Sequence, residues 1–158
     1  MARDLDDIDR GILYALQLDA RAATAAEMAE SVGVSASTVR NRIERLESTD
    51  VIRGYRPDID YERAGFPLHV VAVCRAPSTE RSAVAAEVLE LPGVVRVCEL
   101  LTGAETLHVE AVATDSAAVD ELLASVADLG AEVVSSGIVK TDHVRPFDYF
   151  DAGPDADG

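Results

Sequence analysis

Apolar residues in the first third of the chain recur at the three- and four-residue spacing of an amphipathic helix. Asp6 precedes the first such pattern as an N-cap, and the pattern continues through Ile8, Ile12, Ala15 and Leu16. Residues 24–27, Thr-Ala-Ala-Glu, form a capping-box sequence that predicts a second, short helix ending near Ser31. Two helices are therefore expected before residue 32.

Gly33 and Ser35 mark the turn into a third helix. Glycine supplies the positive φ that a tight turn needs, and serine is a favoured N-cap. This helix is predicted to run to about Thr49 and to bury a stripe formed by Val39, Ile43 and Leu46. Three helices with a short glycine turn between the second and third make a helix-turn-helix, whose last helix enters the major groove of DNA.

Residues 51–59 alternate apolar and polar positions around Gly54, which predicts a small hairpin or wing. Residues 1–59 are thus predicted to form a winged helix-turn-helix DNA-binding domain, followed by a linker at 60–67.

The second half contains an internal repeat. The strand-like segment 68–73 recurs 39 residues later as 107–112. Each copy is followed by an Ala-rich helical stretch (about 80–90 and 116–128), a glycine turn and a further β-rich run (94–101 and 132–139). The fold class is therefore α+β, with the N-terminal winged helix-turn-helix joined to a C-terminal ferredoxin-like βαββαβ regulatory domain at 68–145.

Two helices would cover one face of the resulting four-stranded antiparallel sheet. The other face needs a cover, so a homodimer is expected. Residues 146–158 are predicted to be an acidic tail, disordered in its breaker-rich part, 151–158.

Charge adds a second signal for nucleic-acid binding. The 158 residues include 29 acidic and 14 basic side chains, a net charge of −15, which by itself disfavours contact with phosphates. Residues 35–56 reverse the sign, with five arginines against three acids, a net charge of +2. This positive island is a candidate contact surface. The acid-rich background, in which Lys140 is the sole lysine, is similar to that of proteins from extreme halophiles.

Projection of the third helix at about 100° per residue places a polar face opposite the buried stripe. Arginine can bond guanine, asparagine can bond adenine, and hydroxyls can bond base edges or phosphates. Arg42, Arg53 and Arg56 are assigned to phosphates. The alternative is a solvated face carrying an Arg40–Glu44 pair. The predicted DNA-contacting residues are Ser35, Ser37, Thr38, Arg40, Asn41, Arg42, Arg45, Arg53 and Arg56.

The stretch 34–47, VSASTVRNRIERLE, closely resembles the recognition helix of the Lrp/AsnC (feast/famine) regulators. Residues 6–9, 19–21 and 51–55 resemble the same family, and the resemblance covers about residues 5–145. It implies a transcriptional regulator in which a winged helix-turn-helix is joined to a ligand-sensing domain that dimerises through its sheet. Such dimers often assemble further into octamers, and the family often senses amino acids.

In that family the loop between the second and third strands commonly has the sequence Thr-Gly-Asp-Tyr-Asp. The loop here is Thr102, Gly103, Ala104, Glu105 and Thr106, which the resemblance implies as the effector-binding residues. The first two residues match, both family aspartates are absent, and Glu105 is shifted by one position. An effector loop and an ordinary turn both remain open at this point. Asp50 also stands where the family usually has glycine after the recognition helix.

Other chemistry finds little support. His69 and His108 occupy equivalent positions of the repeat, and His143 is placed on the last strand, so the three histidines suggest a metal sensor. Equivalent positions near the starts of antiparallel neighbouring strands lie at opposite ends of the pair, so no metal site is predicted within one chain, and a site between subunits stays open. Cys74 and Cys98 fall on strands separated by a third, which argues against a disulfide.

No catalytic motif is present, so no enzyme activity and no cofactor are predicted. With no secretory signal and no long apolar run, a cytoplasmic protein that does not enter the membrane is expected. The alternatives are a nucleoid-organising protein of low sequence preference and a metal or small-molecule sensor.

Overall fold

A computed structural model describes residues 5–150, which form two compact units. Within the described residues, the first unit comprises 5–57 together with 143–150, and the second comprises Asp58–Asp142. None of the helices within residues 5–150 has the length and apolar character that a membrane span requires.

The first unit is built on three helices, and the capping signals placed all of them correctly. They are α1 (Asp7–Asp19), α2 (Ala25–Val32) and α3 (Ala36–Ser48). The Asp6 carboxylate accepts the Asp9 backbone N–H at 2.9 Å, which fixes the start of α1.

The turn between α2 and α3 has the predicted chemistry. Thr24 and Glu27 form a reciprocal capping box at the start of α2, and Gly33 ends that helix with a φ of 72°. Ser35 then accepts the backbone N–H of Thr38 at 3.2 Å and caps α3. The predicted helix-turn-helix is therefore confirmed.

The core of this unit forms where the three apolar stripes meet. Ile12, Val39 and Leu46 are completely buried, and each contributes roughly 1.5–3 kcal/mol by leaving water. The Cβ atom that an alanine would place at Gly11 would lie 2.4 Å from Val32 Cγ1, so glycine permits the close approach of α1 and α2.

The hairpin predicted over 51–59 is wrong, because these residues contain no strand. The N–H groups of Val51 and Ile52 both bond the Leu46 carbonyl and so end the third helix. Beyond them, Gly54 has a φ of 149°, and Pro57 has no N–H to donate to a ladder. Residues 60–67, predicted to be a linker, contain a hydrogen-bonded turn.

The second unit has the predicted ferredoxin-like order βαββαβ, so the fold class is confirmed. Its sheet is antiparallel with the order β2-β3-β1-β4. The elements are β1 (Leu68–Arg75), α4 (Arg81–Leu89), β2 (Val94–Glu99), β3 (Leu107–Ala113), α5 (Ser116–Asp128) and β4 (Glu132–Ile138).

Strict alternation along the two central strands divides the sheet into two faces. Leu107 and Val109 on β3 are buried with Val88 of α4 and Val126 of α5 in the core. At the start of β2, Gly93 has a φ of 85°, and an added Cβ would lie 2.7 Å from the carbonyl oxygen of Val112. The turn at Gly93 is therefore in direct contact with the backbone of β3.

Within the described residues of the second unit, α4 and α5 both pack on the face that carries Leu107 and Val109, and no helix of this unit covers the opposite face. Its central residues are only half-buried, and an ion pair joins Arg96 and Glu110 at 3.0 Å. We call this surface the open sheet face; on the two central strands it carries His69, Val71, Val73, His108, Glu110 and Val112.

The register confirms the geometry expected for the two strand histidines. His69 pairs with Val112 and His108 pairs with Val73, so they lie at opposite ends of the strand pair. In residues 5–150 no group of three His, Cys, Asp or Glu side chains is arranged to hold a metal ion. His143 does not lie on the last strand as predicted, because β4 ends at Ile138.

The order of strands also separates the two cysteines as expected. Cys98 lies on β2, and β3 stands between it and Cys74 on β1. Both thiols are free, and burial raises the pKa of the Cys74 thiol.

The end of the described chain differs from the prediction of a regulatory domain to 145 followed by a tail. Residues 143–150 belong with the three helices. A single 3₁₀ turn, η1 (Asp148–Phe150), packs against α1. The disorder predicted for 151–158 lies outside the described residues.

Candidate nucleic-acid interface

The face of α3 opposite its core stripe is open to solvent. Ser37, Arg40 and Asn41 are exposed, whereas Val39 and Leu46 are buried. The structure therefore brings together, on one helix surface, the residues predicted to read base edges.

Three hydroxyl groups cluster at the N-terminus of α3. The Ser35 Oγ lies 2.9 Å from Ser37 Oγ and 2.8 Å from Thr38 Oγ1. The N-terminal end of a helix carries partial positive charge and unpaired N–H groups, both of which favour an anion. This end of the helix is chemically suited to a DNA phosphate.

Two of the predicted DNA-contacting arginines have a different partner in the structure. Arg45 Nη2 donates to Asp9 Oδ2 at 2.6 Å, and Arg42 Nη1 donates to Asp9 Oδ1 at 3.2 Å. Arg42 also bonds Asp6. The Asp9 side chain is only 1% exposed. Because a buried carboxylate needs a positive partner, Arg42 and Arg45 tie α3 to α1.

Hydrogen bonds at this contact also shift the pKa values of Asp6 and Arg42. The Asp9 backbone N–H holds the pKa of the Asp6 carboxyl below its usual range, and Arg42 lowers it further. The hydrogen bond to Asp6 in turn raises the pKa of the Arg42 guanidinium. Both groups are charged across the neutral pH range.

Sequence reasoning missed this role of Asp9. A signal was available, since Asp9 occupies the same helical stripe as Ile12 and Leu13 and is the sole charge on it. A charged residue in a buried stripe calls for an oppositely charged partner on a neighbouring element.

The other three predicted arginines are exposed. Within residues 5–150, Arg40, Arg53 and Arg56 form no ion pair with any carboxylate, so the alternative Arg40–Glu44 pair is not made. Their guanidinium groups are available to a ligand.

Tyr55 ties the segment after α3 back to that helix. Its hydroxyl donates to Glu47 Oε1 at 2.9 Å. Burial, and then this carboxylate, raises the pKa of Tyr55 to about 12. Arg53 and Arg56 flank Tyr55, so the contact keeps both near the end of α3.

The predicted effector loop lies in the second unit. Thr102, Gly103, Ala104 and Glu105 are exposed, and Gly103 has a φ of 104°. Thr106 differs because it is only 3% exposed, and its Oγ1 has no hydrogen-bond partner among the described residues. The Leu100 N–H bonds the Thr106 carbonyl at 2.8 Å and closes the loop.

Comparison with known proteins agrees with this arrangement. The family model of the AsnC-type helix-turn-helix domain matches residues 5–47. The HTH-type transcriptional regulator AldR of Mycolicibacterium smegmatis is 40% identical over 118 residues, 72% of this chain and 68% of that regulator. The chain belongs to the Lrp/AsnC family. The leucine-responsive regulatory protein of Rhizobium meliloti is 34% identical to this Lrp/AsnC chain over 125 residues, 76% of this chain and 78% of that protein.

Solved structures extend the likeness of this Lrp/AsnC protein over both units. The crystal structure of MtbAldR matches with a TM-score of 0.73 and 28% identity, covering 90% of this chain and 99% of the other. That of the leucine response regulatory protein LrpA of Mycobacterium tuberculosis matches with a TM-score of 0.75 and 25% identity, covering 89% and 96%. The protein is a sequence-specific DNA-binding transcriptional regulator of the Lrp/AsnC type.

Proposed function

We propose that Ser37, Arg40 and Asn41, here called the reading face, enter the major groove and recognise base edges. The Ser35 hydroxyl cluster, including Thr38, and the arginines Arg53 and Arg56 contact phosphates. The observation that carries this division is the pairing pattern. Arg42 and Arg45 are held by Asp9, whereas Arg40 has no carboxylate partner among the described residues and stands on the exposed face.

Genome-wide occupancy at native salt, followed by binding to the recovered sites, tests this proposal. We expect discrete sites that bind at least about 1,000-fold more tightly than scrambled duplex. Similar affinity for any duplex would indicate a nucleoid-organising protein instead. Repeating the occupancy measurement after a change of nutrient would reveal regulated targets.

We propose that the regulator is a homodimer joined through the open sheet face, with further assembly to an octamer. The supporting observation is an uncovered sheet face on which Val71, Val73 and Val112 are already half-buried. Light scattering of Val73→Arg against the wild type tests this assembly. The variant is expected to lose the dimer, and an unchanged mass would refute this interface.

We propose that a small molecule, in the first place an amino acid, binds at residues 102–106 and favours one assembly state. The exposed loop and the Thr106 Oγ1, which has no hydrogen-bond partner within residues 5–150, support a polar ligand. Thermal shift and light scattering with a panel of the twenty amino acids test it, with Glu105→Gln as the variant. No shift with any amino acid would favour an ordinary turn.

We propose that the protein works in the cytoplasm of a salt-accumulating organism, where long-range electrostatics are screened. Under the division of the arginines proposed above, Arg53 and Arg56 are the arginines that neutralise phosphates, which makes four in a dimer. The slope of log affinity against log salt is therefore expected to be roughly −4. If Arg42 and Arg45 also neutralised phosphates, the slope would approach roughly −7, and that result would reject the proposed division of the arginines.

A further inference from the structure

After its last strand the chain returns to the first unit, here called the DNA-binding unit. Phe147 donates its backbone N–H to Gln17 Oε1 on α1 at 3.1 Å, a contact between residues 130 positions apart. The following turn, η1, packs on the same helix, and Phe150 packs against the core of the three helices. The DNA-binding unit is therefore formed from both ends of the described chain.

This segment is organised by its own local contacts. The Phe147 ring lies 5.0 Å from the Phe150 ring in an edge-to-face arrangement and 5.4 Å from the Tyr149 ring. Arg145 pairs with Asp148 at 2.9 Å. Phe150 closes one side of a groove of about 440 Å³ whose apolar walls are Ile8, Tyr14, Leu18 and Val32.

Docking of this segment gives the DNA-binding unit a second attachment. One connection leaves the unit after α3, through residues 58–67. The other leaves the sheet after β4, where the Val139 N–H bonds the His69 carbonyl at 2.8 Å, and reaches Gln17 through Phe147 eight residues later. Eight residues span at most roughly 28 Å. Units joined by one linker move independently by default, whereas two attachments on different helices restrict rotation.

The second attachment is weak enough to open. Phe147 is 51% exposed and Tyr149 is 81% exposed, so Phe150 and one hydrogen bond supply most of the contact. Segments with few buried apolar contacts open locally at low free energy.

We propose that residues 143–150 act as a releasable clasp, which holds the DNA-binding unit by α1 and so restricts the orientations that α3 can take. The clasp docks on the α1 of its own chain. When it is released, the unit remains folded but is attached through residues 58–67 alone. The effect on DNA rests on the dimer proposed above, whereas docking itself does not.

Hydrogen exchange of the full-length protein without DNA tests docking. The variants are Gln17→Ala, which removes the acceptor, and Phe150→Ala, which removes the apolar anchor. Val144→Ala is the matched control, because Val144 lies in the same segment and is 81% exposed. We expect exchange at 147–150 to accelerate at least tenfold in both variants, with no change in α5 or in the control. Unchanged exchange in Gln17→Ala would overturn the proposal even if Phe150→Ala fails to fold.

Dilution and DNA-binding experiments complete the test. Protection of 147–150 that falls on dilution would show that the clasp of a second copy occupies the groove, and would overturn docking within one chain. On operators whose half-sites are shifted by half a helical turn, the wild type is expected to lose at least tenfold in affinity and Gln17→Ala about threefold or less. Equal losses would overturn the restricting role, whereas a wild type without any spacing preference would count against the proposed dimer.

Discussion

Asp9 on α1 and Arg45 on α3, 36 residues apart, meet through a 2.6 Å bond between Oδ2 and Nη2. The carboxylate is buried, while the Arg45 side chain keeps 40% of its surface exposed. An arginine that the sequence predicted to contact DNA thus joins α3 to α1. We expect this contact to act on stability first and on DNA binding second.

Replacement of Asp9 by asparagine keeps the shape of the side chain but removes the charge shared by Arg42 and Arg45. We expect the free energy of unfolding of the first unit to fall by about 2–3 kcal/mol, below the usual range for a broken buried pair because both arginines still reach water. Urea unfolding followed by circular dichroism measures this loss.

Asp7→Asn is the matched control on the same helix. Asp7 pairs with Arg10 at the surface and is 84% exposed, so its replacement should change stability by less than about 0.5 kcal/mol. Equal losses in the two variants would show that the Asp9 contact does not hold the helices together.

Arg40→Ala is expected to reduce affinity for the operator by about 10- to 100-fold without lowering stability, since it removes one of the groups proposed to read base edges. Asn41→Ala should do the same at a different base position. Arg63→Ala is the control, because it removes the same charge in the second unit at a residue that is 89% exposed. It should leave affinity within about twofold. Fluorescence anisotropy on operator and scrambled duplexes measures both effects. A loss that is equal on the two duplexes would place Arg40 on phosphate instead.

Acid is expected to weaken the start of α1. The pKa of Asp6 is lowered from 3.8, first by the hydrogen bond from the Asp9 N–H and then by Arg42. A carboxyl whose pKa is lower in the folded state stabilises the fold above its unfolded-state pKa, and that contribution disappears as the pH falls through the folded-state pKa.

Asp6→Asn keeps an acceptor oxygen for the cap but does not titrate there. At pH 7 the wild type should therefore be more stable than the variant, and the difference should vanish well below pH 3.8. Urea midpoints at a series of pH values measure it. A difference that is independent of pH would mean that the charge of Asp6 contributes nothing.

Gly93→Ala is expected to destabilise the second unit by about 2–4 kcal/mol, because the new methyl group meets the Val112 carbonyl while φ stays positive. Gly130→Ala isolates the steric part. Gly130 has a similar φ of 91°, but its nearest neighbour is Val84 Cγ2 at 3.9 Å. We expect a loss of only about 1 kcal/mol there. Thermal unfolding should thus rank the two variants clearly, and equal melting temperatures would show that the turn at Gly93 can relax.

The sequence by itself determined the helices, the four strands of the sheet and the class of fold. Asp6, Thr24 and Ser35 each bond a backbone N–H three residues ahead, so the starts of the three helices are local events that the sequence specifies directly. The strand–helix–strand repeat predicted the second unit for a similar reason, because alternation and periodicity arise within a single element. The exposed reading face also followed from periodicity alone.

Only the tertiary structure decided which partners the charged and aromatic side chains take. Five arginines within residues 35–56 are alike as local chemistry, and the buried position of Asp9 selected two of them. The hairpin predicted over 51–59 is wrong because a strand must pair with a second strand, and a local alternating pattern does not guarantee one. The return of Phe147 to Gln17 depends on contacts across 130 positions. Contacts between residues far apart in the chain depend on how whole elements pack, and local sequence patterns do not encode that packing.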